Sequence, residues 1–219
     1  MRFEGALQAF GQSLVADDDP RPVYALLDLL QPEKLDQMLM QTYGPELMPR
    51  HLPVLVSQWS KYYFMHLIPL VVVAVLVQGW CWPLALEGIG VSLDSRGLPD
   101  GVKLPEQGAA VAVESFDGLL DHNLQPVIES LSAYSGVGGG VLWGNAGDYL
   151  ETCLRQLADV SDVPLDAGYA LLRNKQRSDG RRNPLFNAIT YPDQRRQRRS
   201  CCLSYQVEWI GHCEHCPLV

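Results

Sequence analysis

Apolar residues recur at helical spacing over much of the chain. Between residues 23 and 40 they form two short runs separated by Pro32, which predicts two short helices. Aromatic and apolar residues in 59–67 then fall three and four positions apart and lead into the run LIPLVVVAVLV at 67–77. This pattern predicts a helix that continues into the core.

The apolar run at 67–77 is the one stretch that invites comparison with a membrane span. It has eleven residues, whereas a spanning helix needs about 20 to cross a hydrocarbon layer ~30 Å thick. A buried core helix is therefore favoured over a span. Trp80 and Trp82 follow the run, and tryptophan is enriched at membrane surfaces, so peripheral association stays open.

Glycine and proline divide the middle of the chain, and helical spacing returns after it. Residues 83–118 break into short pieces such as IGVSL and AAVAV, which predict strands of an antiparallel meander. Helices are predicted over 120–134, 142–157 and 166–173, followed by a strand at 186–191, a turn at 192–197 and a strand at 199–207. The sequence thus predicts an α+β fold: one predominantly helical domain with a small antiparallel sheet and a cysteine-rich C-terminal segment.

The composition is that of a folded globular protein, with 47% hydrophobic and 19% charged residues among 219. The net charge of −8 argues against a surface built to bind nucleic acid. Charge is nevertheless uneven: residues 173–199 hold nine basic and two acidic side chains, or +7, which leaves −15 for the rest. Such a segment is either a site that meets an anion or a solvated loop.

Four of the six cysteines fall close together near the C-terminal end, in the spacing C-C-x10-C-x2-C: Cys201, Cys202, Cys213 and Cys216. The first residues lack the basic start and apolar run of a signal peptide, so we expect a cytoplasmic protein. In a reducing compartment such a cluster indicates a metal site rather than two disulfides.

The spacing favours an iron–sulfur cluster over zinc without excluding zinc. Structural zinc sites usually take their thiolates from two C-x2-C knuckles, and only Cys213 and Cys216 have that form. The adjacent Cys201 and Cys202 would point to opposite sides of an extended segment and reach one tetrahedral ion only with distortion. A two-iron cluster offers two sulfur positions on each iron and accommodates such a pair more readily.

These residues carry a resemblance to a known family. The ending RRSCCLSYQ, followed by CEHCPL, is similar to the C-terminal signature of the FhuF family of ferric-siderophore reductases. Three further landmarks resemble that family in the same order: residues 55–78, the stretches LQPVIESL and VLWGNAGDYL, and the step Asn183-Pro184-Leu185. The resemblance spans roughly residues 20–219.

The resemblance implies a siderophore-synthetase-related helical body over 1–195 and a [2Fe-2S]-binding segment over 196–219. It implies one-electron reduction of Fe(III) in an imported siderophore, often a hydroxamate, with release of Fe(II). The four cysteines carry over as cluster ligands. Four neighbouring arginines either offset the cluster's charge and attract the substrate or form a solvated turn: Arg195, Arg196, Arg198 and Arg199. Trp143 and Asn145 of the WGN motif either line the substrate cleft or serve in packing or capping.

No nicotinamide, flavin or nucleotide motif is present, since Val141 stands where G-x-G-x-x-G would need its last glycine. The electron should therefore come from a separate ferredoxin or reductase, and no nucleic-acid partner is expected. Two other interpretations stay open: a non-redox zinc or iron–sulfur regulatory protein, and a siderophore-handling scaffold without redox activity. Localisation is expected to be cytoplasmic, with peripheral contact at the inner face of the membrane left open.

Overall fold

The computed structural model describes residues 3–110 and 115–219. The helices are α1 (Gln8–Gly11), α2 (Leu26–Leu29), α3 (Pro32–Tyr43), α4 (Met48–Gln78), α5 (Asp117–Leu119), which runs into a π-helical turn at Leu120–Leu124, α6 (Gln125–Ser135), α7 (Gly139–Val160) and α8 (Asp166–Arg173). The strands are β1 (Val23–Ala25), β2 (Trp80–Cys81), β3 (Gly90–Leu93), β4 (Pro99–Lys103), β5 (Ala109–Ala110), β6 (Ile189–Thr190) and β7 (Gln197–Arg198). The predicted fold class is confirmed.

Helix α4 is the central element of the fold. It has 31 residues and is about 46 Å long at 1.5 Å per residue, far longer than its apolar run suggests. It ends at Gly79, whose φ of 58° is the left-handed conformation that commonly closes a helix. Helix α7 packs along it, and Trp59, Tyr63 and Phe64 are fully buried.

Helix α4 passes a length and composition test for a membrane span, and within 3–110 and 115–219 no other helix does. However, 67% of its most apolar 18-residue window is buried inside the protein. The core helix of a globular protein has the same properties. The sequence prediction of a buried helix is therefore consistent with where its side chains lie.

The main sheet has three antiparallel strands in the order β1-β3-β4, with Val91 opposite Val102. Both valines are buried, and β4 packs against α4. Strand β1 occupies the start of the region from which only helices were predicted. The predicted strand AAVAV is observed at Ala109–Ala110, and its remaining residues lie outside the described ranges.

The C-terminal end departs most from prediction. Strands β6 and β7 form a two-residue antiparallel pair, as a strand–turn–strand pattern requires. The predicted strand over 199–207 is wrong, because the chain turns at Leu203, whose φ is 65°, and forms a 3-10 turn at Ser204–Gln206. This turn allows the two halves of the cysteine motif to face each other.

Candidate metal centre

The four clustered cysteines lie in two short segments that fold against each other. Cys201 and Cys202 directly follow β7, and Cys213 and Cys216 lie in a turn closed by a bond from Cys216 N–H to Cys213 O of 3.1 Å. Arg198 N–H donates to the His215 carbonyl at 2.9 Å, which joins the two segments. Cys202 and Cys216 are buried, whereas Cys201 and Cys213 are half-buried.

Cysteines of the two halves of the motif interact with each other. The Cys213 thiol acts as a donor to Cys202, which lowers the pKa of Cys202 and raises that of Cys213. Burial is the main cause that raises the pKa of Cys201, and the nearby Cys202 and Cys216 raise it further. Within the described ranges no three His, Cys, Asp or Glu side chains are grouped closely enough to hold one ion. Two halves that each bring two cysteines suit a frame with two sulfurs on each iron better than a single tetrahedral ion.

Several polar groups contact the sulfurs. Leu203 N–H donates to Cys201 Sγ at 3.3 Å, a contact made possible by its left-handed backbone. Ser204 Oγ lies 3.3 Å from Cys202 Sγ, and His212 Nδ1 lies 3.3 Å from Cys216 Sγ. Donors to thiolate sulfur stabilise negative charge, and hydrogen bonds of this kind tune the potential of iron–sulfur clusters.

A chain of buried hydrogen bonds fixes the backbone at Cys202. Ser57 Oγ and Gln58 Nε2, both on α4, donate to the Cys202 carbonyl at 2.8 and 3.2 Å. Asn145 Nδ2 on α7 donates to the Ser57 carbonyl at 2.9 Å, and Arg198 Nη2 donates to Asn145 Oδ1. The segment that carries the cysteines is thus bound to both long helices.

Of the two roles left open for Asn145, the structure favours packing over lining a substrate cleft, because the side chain is fully buried inside this hydrogen-bond chain. It has no surface to offer a ligand. Trp143 is half-buried and lines an open cavity of about 480 Å³ together with Arg177 and Arg182. Of Trp143 and Asn145, only Trp143 has exposed surface with which to contact a ligand.

The arginines before the cysteines divide into two kinds. Arg196 donates through Nε to Glu151 at 2.6 Å and pairs with Asp148 at 2.7 Å, and its side chain is 8% exposed. Arg198, with 1% exposure, lies 3.4 Å from Asp148. Both side chains are buried, and their charges are paired with carboxylates. Neither arginine is therefore placed to contact a substrate directly. Arg195 and Arg199 are exposed.

Helix α7 presents to this segment a face of small and acidic residues that sequence reasoning missed. Gly144, Gly147, Asp148 and Glu151 are spaced i, i+3, i+4 and i+7, which places them on one side of a helix. A Cβ at Gly144 would collide with Ser200 Oγ, and a Cβ at Gly147 with the Cβ of Ala188. The spacing can be seen in the sequence. Its role becomes clear only from the structure, in which the C-terminal segment packs against this face of α7.

Comparison with known proteins agrees with this architecture. The sequence profile described as ferric iron reductase FhuF-like transporter matches residues 57–199, and the profile described as FhuF 2Fe-2S C-terminal domain matches residues 198–218. The ferric siderophore reductase of Escherichia coli strain K12 is 25% identical over 217 residues, covering 92% of this chain and 82% of that protein.

Solved structures of two aerobactin synthetases share the fold. ATP-bound aerobactin synthetase IucA from Klebsiella pneumoniae superposes with a TM-score of 0.60 at 14% identity, and IucC from the same organism with 0.53 at 13% identity. Each covers 78% of this chain, which spans only 38% and 37% of their respective lengths. At such low identity the likeness concerns the fold alone.

Proposed function

The chain belongs to the FhuF family and carries its [2Fe-2S] domain, and from this premise we propose that it reduces the Fe(III) of a ferric siderophore through a cluster held by four cysteines. The proposed ligands are Cys201, Cys202, Cys213 and Cys216. The name of the E. coli relative, ferric siderophore reductase, supports this substrate. The observation that carries the proposal is that the two halves of the cysteine motif fold against each other, joined by the bond from Arg198 N–H to the His215 carbonyl.

The reaction follows from the coordination chemistry of iron. When bound, the cluster supplies one electron to the chelated Fe(III), which leaves as Fe(II). Hard oxygen ligands such as hydroxamates hold the more highly charged ion far better, so one electron releases the metal and leaves the chelator intact. We propose a hydroxamate as the chelating group.

The protein's own residues position the reacting parts. Burial of Cys202 and Cys216 excludes water from one side of the site, while the half-buried Cys201 leaves another side accessible. Exposed Arg195 and Arg199, with Trp143, are the proposed substrate contacts that remain accessible. Arg196 and Arg198 act from inside by holding the segment against the carboxylates of α7.

The electron must be supplied from outside the chain. We propose a separate ferredoxin or reductase as the donor, because the sequence has no dinucleotide or flavin motif. We also propose that the protein works in the cytoplasm, where a reducing environment keeps such thiols available to metal. The division of the chain at residue 195 remains a prediction.

The test is replacement of Cys202 by alanine, with Cys81→Ala as the control. Cys81 is half-buried and lies outside the clustered motif. We expect the Cys202 variant to lose the visible absorption, the bound iron and sulfide, the EPR signal of the reduced protein and ferric-chelate reduction, while the control keeps all of them. Wild-type protein that contains zinc and no iron, or a Cys202 variant that retains colour and turnover, would contradict the proposal.

A further inference from the structure

A cationic cavity lies beside the cysteine segment. It has a volume of about 410 Å³ and is lined by Lys175, Arg182 and Arg199, together with Asn183 and Phe186. No aspartate or glutamate is among the described residues that line it. Three positive charges therefore share one small open space without a carboxylate between them.

Four of the other six basic residues of 173–199 are paired with carboxylates. Arg177 pairs with Asp117 and Asp121, both at 2.5 Å, and Arg181 pairs with Asp121 at 2.6 Å. The buried arginines of β7 and its neighbour are paired with carboxylates of α7, as described above. Arg173 and Arg195 are exposed and lie outside this cavity, which brings the remaining three cations of the segment together.

Phe186 organises two of the three cations. The Arg199 guanidinium donates through Nη1 to the Phe186 carbonyl at 3.1 Å, and Lys175 Nζ lies 5.9 Å from the centre of the Phe186 ring. The hydrogen bond occupies one guanidinium N–H of the five that arginine has. The remaining donors, with the ammonium, can serve carboxylate oxygens, for which a guanidinium is well shaped.

The cavity is also close to the redox site. Arg199 is two residues before Cys201, so their Cα atoms are at most about 7 Å apart. A chelate held here by its periphery would keep its iron next to the half-buried sulfur of Cys201. A chelate recognised by its charge in this cavity would be close to the cysteine segment that supplies the electron.

We propose that this cavity binds free carboxylates on the periphery of the ferric chelate, so that the protein selects anionic chelates over cationic ones. The inference rests on the proposed function and specifies its substrate class. With −15 carried by the rest of the chain, a cationic chelate would be attracted elsewhere on the surface and repelled here.

The test uses three trihydroxamate chelates that differ only in the end of their tail. One ends in a free amine, one has that amine acetylated, and one has it succinylated, so the tail charge is +1, 0 or −1 while the metal site stays the same. Gallium(III) chelates, which the protein cannot reduce, give binding by calorimetry, and the ferric chelates give oxidation rates of the pre-reduced protein.

We expect the succinylated chelate to bind at least tenfold more tightly than the amine form. The double variant Lys175→Gln/Arg182→Gln should weaken its binding roughly three- to tenfold, since exposed ion pairs are worth at most about a factor of five each. The control Lys34→Gln/Arg50→Gln removes two exposed charges outside the cavity and should leave the preference unchanged. An unaltered cluster spectrum shows that each variant is folded.

The outcomes separate the two proposals. Equal binding of all three gallium chelates, or a preference that survives in Lys175→Gln/Arg182→Gln, overturns the carboxylate site. Reduction of the ferric chelates without regard to charge overturns that site alone. If the reduced protein passes no electron to any ferric chelate, the proposed function fails, and the carboxylate site as a substrate site fails with it.

Discussion

Arg198 donates a hydrogen bond to the side-chain oxygen of Asn145, and both residues are buried. Asn145 in turn donates to Ser57, which donates to the carbonyl of Cys202. The asparagine therefore connects the strand that precedes the cysteines to the two central helices. Its function is to position the cysteine segment.

Replacing Asn145 by alanine should destabilise the protein by about 3 kcal/mol, because it removes several buried hydrogen bonds at once, one of them to the charged Arg198 guanidinium and the others to Ser57 and Ser60. Urea unfolding followed by circular dichroism gives this value. Asn174→Ala, at an exposed position, is the control and should change stability by less than about 0.5 kcal/mol. Similar effects of the two substitutions would contradict the positioning role.

Gly147→Ala should destabilise the protein by about 1–3 kcal/mol, because the new methyl group would collide with the Ala188 Cβ, which cannot rotate away. Gly140→Ala, on the same helix but with nothing near its Cβ, should be neutral or stabilising by up to about 1 kcal/mol. Thermal unfolding of both variants makes the comparison. Adding Ala188→Gly to Gly147→Ala should restore stability; no rescue would mean that the close approach is unimportant.

Two adjacent arginines should respond very differently to the same substitution. Arg196→Gln leaves the buried Glu151 without its cation and should cost about 3 kcal/mol of unfolding free energy. Arg195→Gln removes an exposed charge and should change stability by less than about 0.5 kcal/mol. Chemical denaturation of the two variants distinguishes them, and equal effects would show that the buried pairing is not stabilising.

The ion pairs of Asp121 predict an acid-sensitive contribution to stability. Hydrogen bonding by Arg177, and then by Arg181, holds the pKa of Asp121 well below its usual range. The stabilisation is complete above the unfolded-state pKa of about 3.9 and is lost as pH falls from there toward the folded-state value. The stability difference between wild type and Asp121→Asn, measured by urea unfolding, should be constant between pH 5 and 7 and shrink below pH 4. A difference that does not change with pH would exclude this linkage.

The helices were predictable because each carries a repeating apolar face. In α7, Leu142, Leu150 and Leu157 keep helical spacing and are buried as that spacing requires. Strand β1 was not predictable, since its three exposed residues have no alternating pattern and their pairing depends on β3, more than sixty residues later.

The roles of the arginines were the least accessible to sequence reasoning. Charge counts identify a basic segment but give no information on which carboxylates meet it in the fold. Arg196 and Glu151 are 45 positions apart, and Arg198 and Asp148 are 50 apart. The cysteine motif, by contrast, is local, and its spacing alone favoured an iron–sulfur site.

The bond between Ser57 and the Cys202 carbonyl joins residues 145 positions apart. Contacts between residues so far apart in sequence carry the entropic cost of closing the loop between them, and they slow folding. During synthesis the cysteines also emerge after both helices that receive them. The geometry of the cysteine segment therefore depends on the completed tertiary fold, in which the last part of the chain reaches back to helices synthesised before it.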